Sequence, residues 1–358
     1  MSQMNSLDNI EEIKNIDRSN VYGSIIELPK QCIHAFDEAR KVVVPESYYD
    51  VENIVMCGMG GSGLGARIIE SAYRKQLRKP LYRINDYDLP GFVDLHTLVF
   101  VSSYSGNTEE SISNARRAIE KGAKVIAIAD SGKLLDFAKE FKLPFYNIDP
   151  KFNPSNQPRM AIGYSVIGQL VLASKCGLID FDESEIQKIV AILDDVIDKY
   201  KIEVVFDQNP VKKTASELLN NIILFFSAEH LVGVTHTVNN QFNENSKNLT
   251  ADFVIPELNH HLMEGLKNPD FVKNQVCVYL FNSNLYSDHI KKRFEVTTEV
   301  IEENGLKKYE YIATSETILS QVFEIIQFGS FLNFYLSMLY NQDPTPIPWV
   351  DYFKKRIS

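Results

Sequence analysis

The stretch from Val99 to Glu110, VFVSSYSGNTEE, restricts the fold of this chain more than any other segment. Its apolar start is typical of a central strand in a parallel sheet, and its hydroxyl-rich end leads into a helix that begins at Glu109. Ser103, Ser105 and Thr108 supply hydroxyl donors, and the free N–H groups at the helix N-terminus would face the same place. The stretch therefore predicts an α/β fold with an anion site at the end of this strand. An ordinary capped strand-to-helix turn is the simpler alternative.

A glycine loop of the same kind, GMGGSGLGA, comes earlier, between a short apolar strand and a helix. Gly58, Gly60 and Gly63 satisfy the pattern G-x-G-x-x-G, and Asp86 lies near the position of a ribose-binding acid, so a dinucleotide site has to be considered. Alternatively, the glycines could bind no ligand and only allow the helix to pack closely against the strand. The hydroxyl of Ser62 and the second anion loop on a neighbouring strand favour one compact phosphorylated ligand held between the two loops.

Strands and helices alternate through the first half of the chain, which predicts a parallel sheet with its ligand at the carboxyl ends of the strands. The second half repeats this plan in weaker form. SAEH stands where the first half has GMGGSG, and CVYLFNSNLYSDH, from Cys277, aligns by eye with VFVSSYSGNTEES, from Val99. We therefore expect two α/β domains related by internal duplication, at residues 49–200 and 201–358, after a helical lead-in over residues 1–48.

Composition narrows the class of function. The formal net charge of −10 and the pI near 5.3 disfavour a nucleic acid or an acidic membrane as partner. The four cysteines form no CxxC pair, which argues against a zinc site and a disulfide framework. The charged first 20 residues do not resemble a signal peptide, and no apolar run approaches the length of a membrane span. These features predict a cytoplasmic protein.

Three residues outside the loops are candidates for catalysis. Arg159 starts a long apolar helix after a proline-rich segment, where a guanidinium could bind substrate oxygens or could form only a surface ion pair. Glu244 precedes a predicted strand over residues 252–255 and His260 follows it, so the two could be acid–base partners. A solvated helix glutamate and a polar turn histidine are the alternatives.

Six motifs occur in the order found in bifunctional phosphoglucose/phosphomannose isomerases, and the chain resembles that family from about residue 53 to its end. The motifs are MGGSGL, SYSGNTEE, NPSNQPR, NENSK, PELNHH and the C-terminal DPTPIP…FKK. The resemblance implies a fold of two sugar isomerase domains. It also implies an aldose–ketose isomerase that acts on glucose 6-phosphate, mannose 6-phosphate and fructose 6-phosphate through an enediol, with no cofactor and no metal.

The resemblance assigns a role to each candidate. It implies that Arg159 stabilises the enediolate, that Glu244 moves the proton between C1 and C2, and that Lys354 is the remaining site lysine. His260 would open the sugar ring and would come from the partner subunit, which implies a homodimer with shared active sites. The residues implied to hold the sugar phosphate are Gly60, Gly61, Ser62, Ser103, Ser105 and Thr108.

Two of these assignments have a neighbour that could replace them, because Lys355 follows Lys354 and His261 follows His260. The resemblance also suggests that Thr345 is the small residue that admits both C2 configurations. A sugar-phosphate sensor would share the anion loops, but it would not need Glu244 or His260. An amino-sugar-phosphate isomerase would share the first domain. Substrate profiling would distinguish it from a phosphoglucose/phosphomannose isomerase.

Overall fold

Two parallel β-sheets form the frame of the computed structural model, which describes residues 3–357, with side chains from residue 6 onward. The first sheet has the strand order β2-β1-β3-β4-β5, and the second has the order β7-β6-β8-β9. The strands are β1 (Asn53–Cys57), β2 (Leu81–Ile84), β3 (Thr97–Ser102), β4 (Lys124–Ala129), β5 (Phe145–Asn147), β6 (Ile222–Ala228), β7 (Thr250–Ile255), β8 (Val276–Ser283) and β9 (Lys307–Ala313).

Helices cover both sheets and fill the space between them. The helices of the first half are α1 (Ile10–Ile16), α2 (Val21–Ile26), α3 (Leu28–Ala39), α4 (Leu64–Ala72), α5 (Glu109–Glu120), α6 (Gly132–Glu140), α7 (Ile162–Lys175) and α8 (Glu183–Tyr200). Those of the second half are α9 (Pro210–Leu218), α10 (Val232–Gln241), α11 (Leu262–Gly265), α12 (Val272–Gln275), α13 (Asp288–Glu303), α14 (Ile318–Leu339) and α15 (Pro348–Ile357).

The sequence pattern explains why β3 lies at the centre of its sheet. Every residue of TLVFVS is buried, because a parallel strand flanked by helices has no solvent-facing side. Strands β1 and β4 pair with β3 on its two sides. The predicted α/β class with two parallel sheets is confirmed, and the hydroxyl loop after β3 lies at the carboxyl edge of the first sheet.

The two halves repeat one strand order, in which β6, β7, β8 and β9 take the places of β1, β2, β3 and β4. Strand pairing aligns Cys57 with Val101 in the first sheet and Phe226 with Leu280 in the second. By these last paired residues Val101 corresponds to Leu280, whereas the alignment by eye paired it with Tyr279. The residue-by-residue register between the two halves stays a prediction.

The N-terminal segment after α1 does not form one continuous helix. It forms two helices, α2 and α3, and Pro29 lies in the first turn of α3, where its missing N–H is tolerated. Helix α3 packs on α7 and α8. Lys212 Nζ donates to the Asp8 carboxylate at 2.9 Å, which ties the lead-in to the second half of the chain.

Helix α14 bears on the expectation about membrane spans. Within residues 3–357 it is the single helix that is long and apolar enough to cross a membrane. Its apolar stretch is 94% buried inside the protein, where α14 packs against α8, α9 and α10. This burial is typical of the core helix of a globular fold.

Candidate active site

The two predicted anion loops are joined by side-chain hydrogen bonds. The Ser62 hydroxyl accepts from the backbone N–H of Tyr104 at 2.8 Å, which links the glycine loop to the loop after β3. Within the second loop, the hydroxyls of Ser103 and Thr108 lie 2.8 Å apart. The structure therefore brings these hydroxyls together at the edge of the first sheet, as the sequence predicted.

Backbone conformation explains two of the glycines in these loops. Gly60 has a φ of +50°, and a Cβ at this position would meet nothing within 4 Å, so the space beside it is open. Gly106 has a φ of +65°, and a Cβ there would lie 1.7 Å from the carbonyl oxygen of Ser131. Gly60 thus leaves room for a ligand, whereas Gly106 lets two backbone segments approach closely.

Helix α5 presents an uncapped N-terminus to the same place. Its N-cap residue, Thr108, makes no side-chain hydrogen bond to the first turn. The N–H groups of that turn are therefore available to an anion, with the positive end of the helix dipole behind them. Ser105, in the same loop, is exposed. This arrangement suits a phosphate group and uses no lysine or arginine.

The glycine loop packs directly on the segment that carries Arg159. A Cβ on Gly61 would lie 3.0 Å from the carbonyl oxygen of Pro158 and 3.3 Å from the backbone nitrogen of Arg159, so glycine permits this approach. Ser165 on α7 donates to the Gly61 carbonyl oxygen at 3.1 Å. The phosphate loop and the arginine are thereby fixed to each other through backbone contacts.

Arg159 is buried, with 2% of its surface exposed, and its guanidinium reaches residues far along the chain. Nε donates to Asn245 Oδ1 at 2.5 Å, and the two η nitrogens make four further bonds. Since a guanidinium has five N–H groups, all of its donors are engaged by the protein. The acceptors of the η nitrogens are Gln157 Oε1, Glu244 Oε2, Pro344 O and Thr345 O, at 2.9, 3.4, 2.9 and 2.8 Å.

Glu244 lies on a turn of π-helix, Phe242–Ser246, that extends α10. Turns of π-helix are rare in proteins, but those that do occur are often found at functional sites. Burial raises the pKa of the Glu244 carboxyl, and the positive charges of Arg159, Lys354 and Lys247 act in the opposite direction. Its side chain keeps 30% of its surface exposed. Glu244 is thus a largely buried carboxyl with a raised pKa, surrounded by cations that act against this rise, and part of its side chain is still open to a ligand.

Lys247 is a site residue that sequence reasoning did not assign. It follows the π-helical turn with a φ of +53°, and its ammonium donates to the carbonyl oxygens of Asn245, Asp343 and Pro344 at 3.1, 3.1 and 2.8 Å. Burial, followed by the charge of Arg159, lowers its pKa to about 8. Lys247 is the last residue of the NENSK motif, so this motif could have identified it as a site residue from the sequence.

Arg159 and Lys247 together hold the segment from Asp343 to Thr345, which connects α14 to α15, by its backbone carbonyls. The Thr345 hydroxyl is buried and has no hydrogen-bond partner among the described residues. Thr345 therefore lies beside the candidate site, where the resemblance placed a specificity residue.

Lys354 lies on α15, every residue of which is exposed. The charge of Lys354 acts to lower the pKa of the Glu244 carboxyl, against the larger effect of burial.

The histidine region is separated from Glu244. Glu244 precedes β7 and His260 follows it, so the six residues of β7 place the two about 20 Å apart along the strand. Glu244 and His260 of one chain thus lie at opposite ends of β7, and their pairing as acid–base partners stays a prediction. His260 is exposed, whereas Nε2 of the adjacent His261 pairs with the Glu257 carboxylate at 2.8 Å.

Residues 3–357 contain no group of three or more His, Cys, Asp or Glu side chains arranged to hold a metal ion. Within the same residues all four cysteines are free and buried.

Comparison with known proteins agrees with this geometry. Residues 47–134 match the SIS domain family, and residues 207–357 match the family described as the bacterial phospho-glucose isomerase C-terminal SIS domain. A solved structure, a hypothetical protein from Thermus thermophilus, superposes with a TM-score of 0.73 and 17% identity over 97% of this chain and 94% of that chain. This likeness shows the fold. The fold and the site define a sugar phosphate isomerase with SIS domains.

Two curated relatives show the family more narrowly. The chain is 32% identical to the bifunctional phosphoglucose/phosphomannose isomerase of Caldicellulosiruptor bescii over 347 residues, which cover 94% of this chain and 99% of that protein. It is 33% identical to the protein of the same name from Thermoplasma acidophilum over 310 residues, which cover 86% and 90% of the two chains. The chain belongs to the bifunctional phosphoglucose/phosphomannose isomerase family.

Proposed function

We propose that this isomerase interconverts glucose 6-phosphate and mannose 6-phosphate with fructose 6-phosphate through a 1,2-enediol(ate), with Glu244 as the base. The observation that carries the proposal is the continuous contact from the glycine loop, through Pro158 and Arg159, to the Glu244 carboxylate. A hexose phosphate anchored at one end of this path would present its C1 and C2 atoms at the other. Binding energy at the phosphate then positions the reacting carbons.

The reaction needs one base and conserves all atoms. The Glu244 carboxylate removes the C2 proton of the open-chain aldose, the electrons of that C–H bond form the C1–C2 double bond, and O1 gains a proton. Glu244 then returns its proton to C1, and O2 loses its proton as the C2 carbonyl forms, which gives the ketose. Overall one proton moves from C2 to C1 through Glu244, and one O–H proton moves from O2 to O1 through solvent. Because the two aldoses differ only in configuration at C2, both give the same connectivity in the enediol. General base catalysis of this kind contributes about 10²–10⁴-fold.

Arg159 stabilises the enediolate through its charge, since the protein already engages its five N–H groups. The contact of Arg159 with Glu244, at 3.4 Å, is the longest of these bonds and so the easiest to exchange for a substrate oxygen. Lys354 adds a second positive charge close to Glu244. A fixed cation in a buried site stabilises developing negative charge more than it would in water.

Ring opening is the role of His260 of the partner subunit, because β7 separates Glu244 from the histidine of its own chain. The active form is then a homodimer in which each chain completes the site of the other. The phosphate is held by Ser62, Ser103, Ser105 and Thr108 together with the backbone of Gly60 and Gly61.

The deciding assay starts from fructose 6-phosphate and quantifies both aldose phosphates by chromatography. We expect glucose 6-phosphate and mannose 6-phosphate to appear together. Glucose 6-phosphate alone, even after long incubation at high enzyme concentration, would contradict the bifunctional assignment, and the absence of both products would contradict the isomerisation itself.

A further inference from the structure

Helix α15 carries charges that act on the candidate site, although none of its residues is buried. The charge of Lys354 acts on the Glu244 carboxyl, and the charge of Asp351 acts on the Arg159 guanidinium. Asp351 and Lys354 are three residues apart, so they share one face of the helix. Every residue of α15 is nevertheless exposed. Burial of its own side chains therefore does not fix α15 in this position.

The segment that leads into α15 is fixed instead. Pro344 is buried, and its carbonyl oxygen accepts from Lys247 Nζ at 2.8 Å and from an η nitrogen of Arg159 at 2.9 Å. A carbonyl oxygen has two lone pairs, so both are used. Lys247 also donates to the Asp343 carbonyl oxygen at 3.1 Å, and Arg159 donates to that of Thr345 at 2.8 Å. The chain therefore enters α15 from a point that two cationic side chains hold.

Lys247 joins this segment to the turn that carries Glu244. It lies three residues after Glu244, and its ammonium donates to the Asn245 carbonyl oxygen at 3.1 Å. The Asn245 amide donates in turn to Asn333 Oδ1 on α14 at 2.9 Å, so the turn is itself held by the core. The ammonium has three N–H groups and bonds to three carbonyl oxygens, one in the turn and two in the C-terminal segment. One side chain thus sets the distance between the turn and the start of α15.

We infer that Lys247 is a positioning residue for α15: its bonds to the segment before the helix keep Lys354 within range of the Glu244 carboxylate. In this role Lys247 does not touch the substrate, and it acts on the reaction through Lys354. The inference rests on the proposed function for its effect on the rate, whereas the attachment of α15 can be measured without any activity.

Lys247 could instead serve stability alone, by bonding to carbonyl oxygens that would otherwise lack a partner. In that case its removal would lower the free energy of unfolding and leave α15 in place. In the positioning role its removal loosens α15 in a protein that is still folded. The two roles therefore differ in the mobility of the helix.

The single tryptophan of the chain, Trp349, reports on this mobility. It lies in the first turn of α15 with 81% of its surface exposed, so its slower motion follows that of the helix. We expect time-resolved fluorescence anisotropy of Trp349 to show more segmental motion in full-length Lys247→Met than in the wild type. Lys247→Arg, which keeps a positive charge and N–H donors, should restore much of the wild-type anisotropy. Lys139→Met, at an exposed position of α6, is the control and should match the wild type.

Kinetics test the effect on the reaction. In Lys247→Met, kcat should fall about tenfold and KM for fructose 6-phosphate should change less than about twofold, because the phosphate loop keeps its contacts. Since Lys247 acts through Lys354, the same replacement should lower kcat less than about twofold in a Lys354→Met background. Urea denaturation verifies that each variant is folded.

Equal anisotropy in Lys247→Met and the wild type would overturn the inference, and so would a tenfold loss of kcat that persists in the Lys354→Met background. Full kcat in Lys354→Met would contradict the role proposed for Lys354, and the anisotropy would still decide whether Lys247 holds α15. If Lys247→Met does not fold, Lys247→Gln provides the same comparison, because its amide is shorter than the lysine side chain and carries no charge.

Discussion

The Arg159 guanidinium and the Glu244 carboxylate lie 85 positions apart in the chain, and their closest atoms, Nη1 and Oε2, are 3.4 Å apart. One residue comes from the segment after the first sheet and the other from the π-helical turn before β7. The site therefore exists only when the two domains are packed together. Loss of packing between the domains is expected to abolish activity before it unfolds either sheet.

Replacing Glu244 by glutamine tests the base. Glutamine keeps the shape and an oxygen acceptor for Arg159, but it does not accept the C2 proton, so kcat should fall by at least about 100-fold while substrate still binds. Steady-state kinetics and substrate-dependent thermal shifts measure the two effects. Glu264→Gln, at an exposed position of α11, is the control. A Glu244→Gln enzyme with more than a tenth of the wild-type kcat would exclude Glu244 as the base.

Replacing Ser105 by alanine tests the phosphate loop. A lost hydrogen bond to a charged group weakens binding by about 1.5–3 kcal/mol, so KM for the phosphorylated sugar should rise about 10-fold or more. The change in kcat should be smaller. Ser113→Ala, on α5, provides the comparison, since the Ser113 hydroxyl donates to the Tyr87 carbonyl outside the loop. An unchanged KM in Ser105→Ala would place the phosphate elsewhere.

Mixing two inactive proteins tests the shared site. Glu244→Gln and His260→Ala each lack one group, and a heterodimer of the two contains one site with both groups intact. Activity should return to a fraction of the wild-type value after subunit exchange. His261→Ala should be nearly fully active on its own, because His261 pairs with Glu257. Verified exchange without any recovery would show that His260 does not complete the neighbouring site.

Lys247 predicts a pH dependence of stability. Burial lowers its pKa in the folded protein to about 8, below the ordinary value of 10.5. Between these pH values the unfolded chain holds a proton that the folded protein has lost, so the free energy of unfolding rises with pH. Relative to Lys247→Met, the wild type should gain on the order of 1 kcal/mol from pH 7 to pH 9.5, after allowance for partial exposure of the ammonium.

Urea denaturation of both proteins at the two pH values measures this gain, and Lys139→Met, at an exposed position of α6, is the control. A stability difference between the wild type and Lys247→Met that stays constant across this range would contradict the lowered pKa.

Much of the first domain could be predicted because its signals are local. The apolar run of β3, the hydroxyls after it and the helix that begins at Glu109 follow one another in sequence, and the structure has them as expected. The glycine loop could be predicted equally well, since Gly60 and Gly61 precede a helix whose apolar residues recur at helical spacing.

The contacts of Arg159 could not be predicted, because most of its partners come from two distant segments and side-chain geometry decides which atoms meet. The π-helical turn at Glu244 could not be predicted from the sequence either. Its sequence, FNENS, has no pattern that separates it from an ordinary helix end, and packing against Arg159 and α14 accompanies the wider turn. The place of Lys247 follows from that turn.

Arg159 and Lys247 hold the segment from Asp343 to Thr345 through hydrogen bonds to its backbone carbonyl oxygens, which every amino acid possesses. The Asp343 side chain adds one bond, because its carboxylate accepts from the Thr345 backbone N–H at 2.9 Å, but these contacts do not use the Thr345 side chain. The Thr345 hydroxyl has no hydrogen-bond partner within residues 3–357, so replacing it removes no hydrogen bond of the protein. If position 345 sets the substrate preference, as the family resemblance implies, a single substitution there would change that preference while the backbone contacts of the segment stay in place.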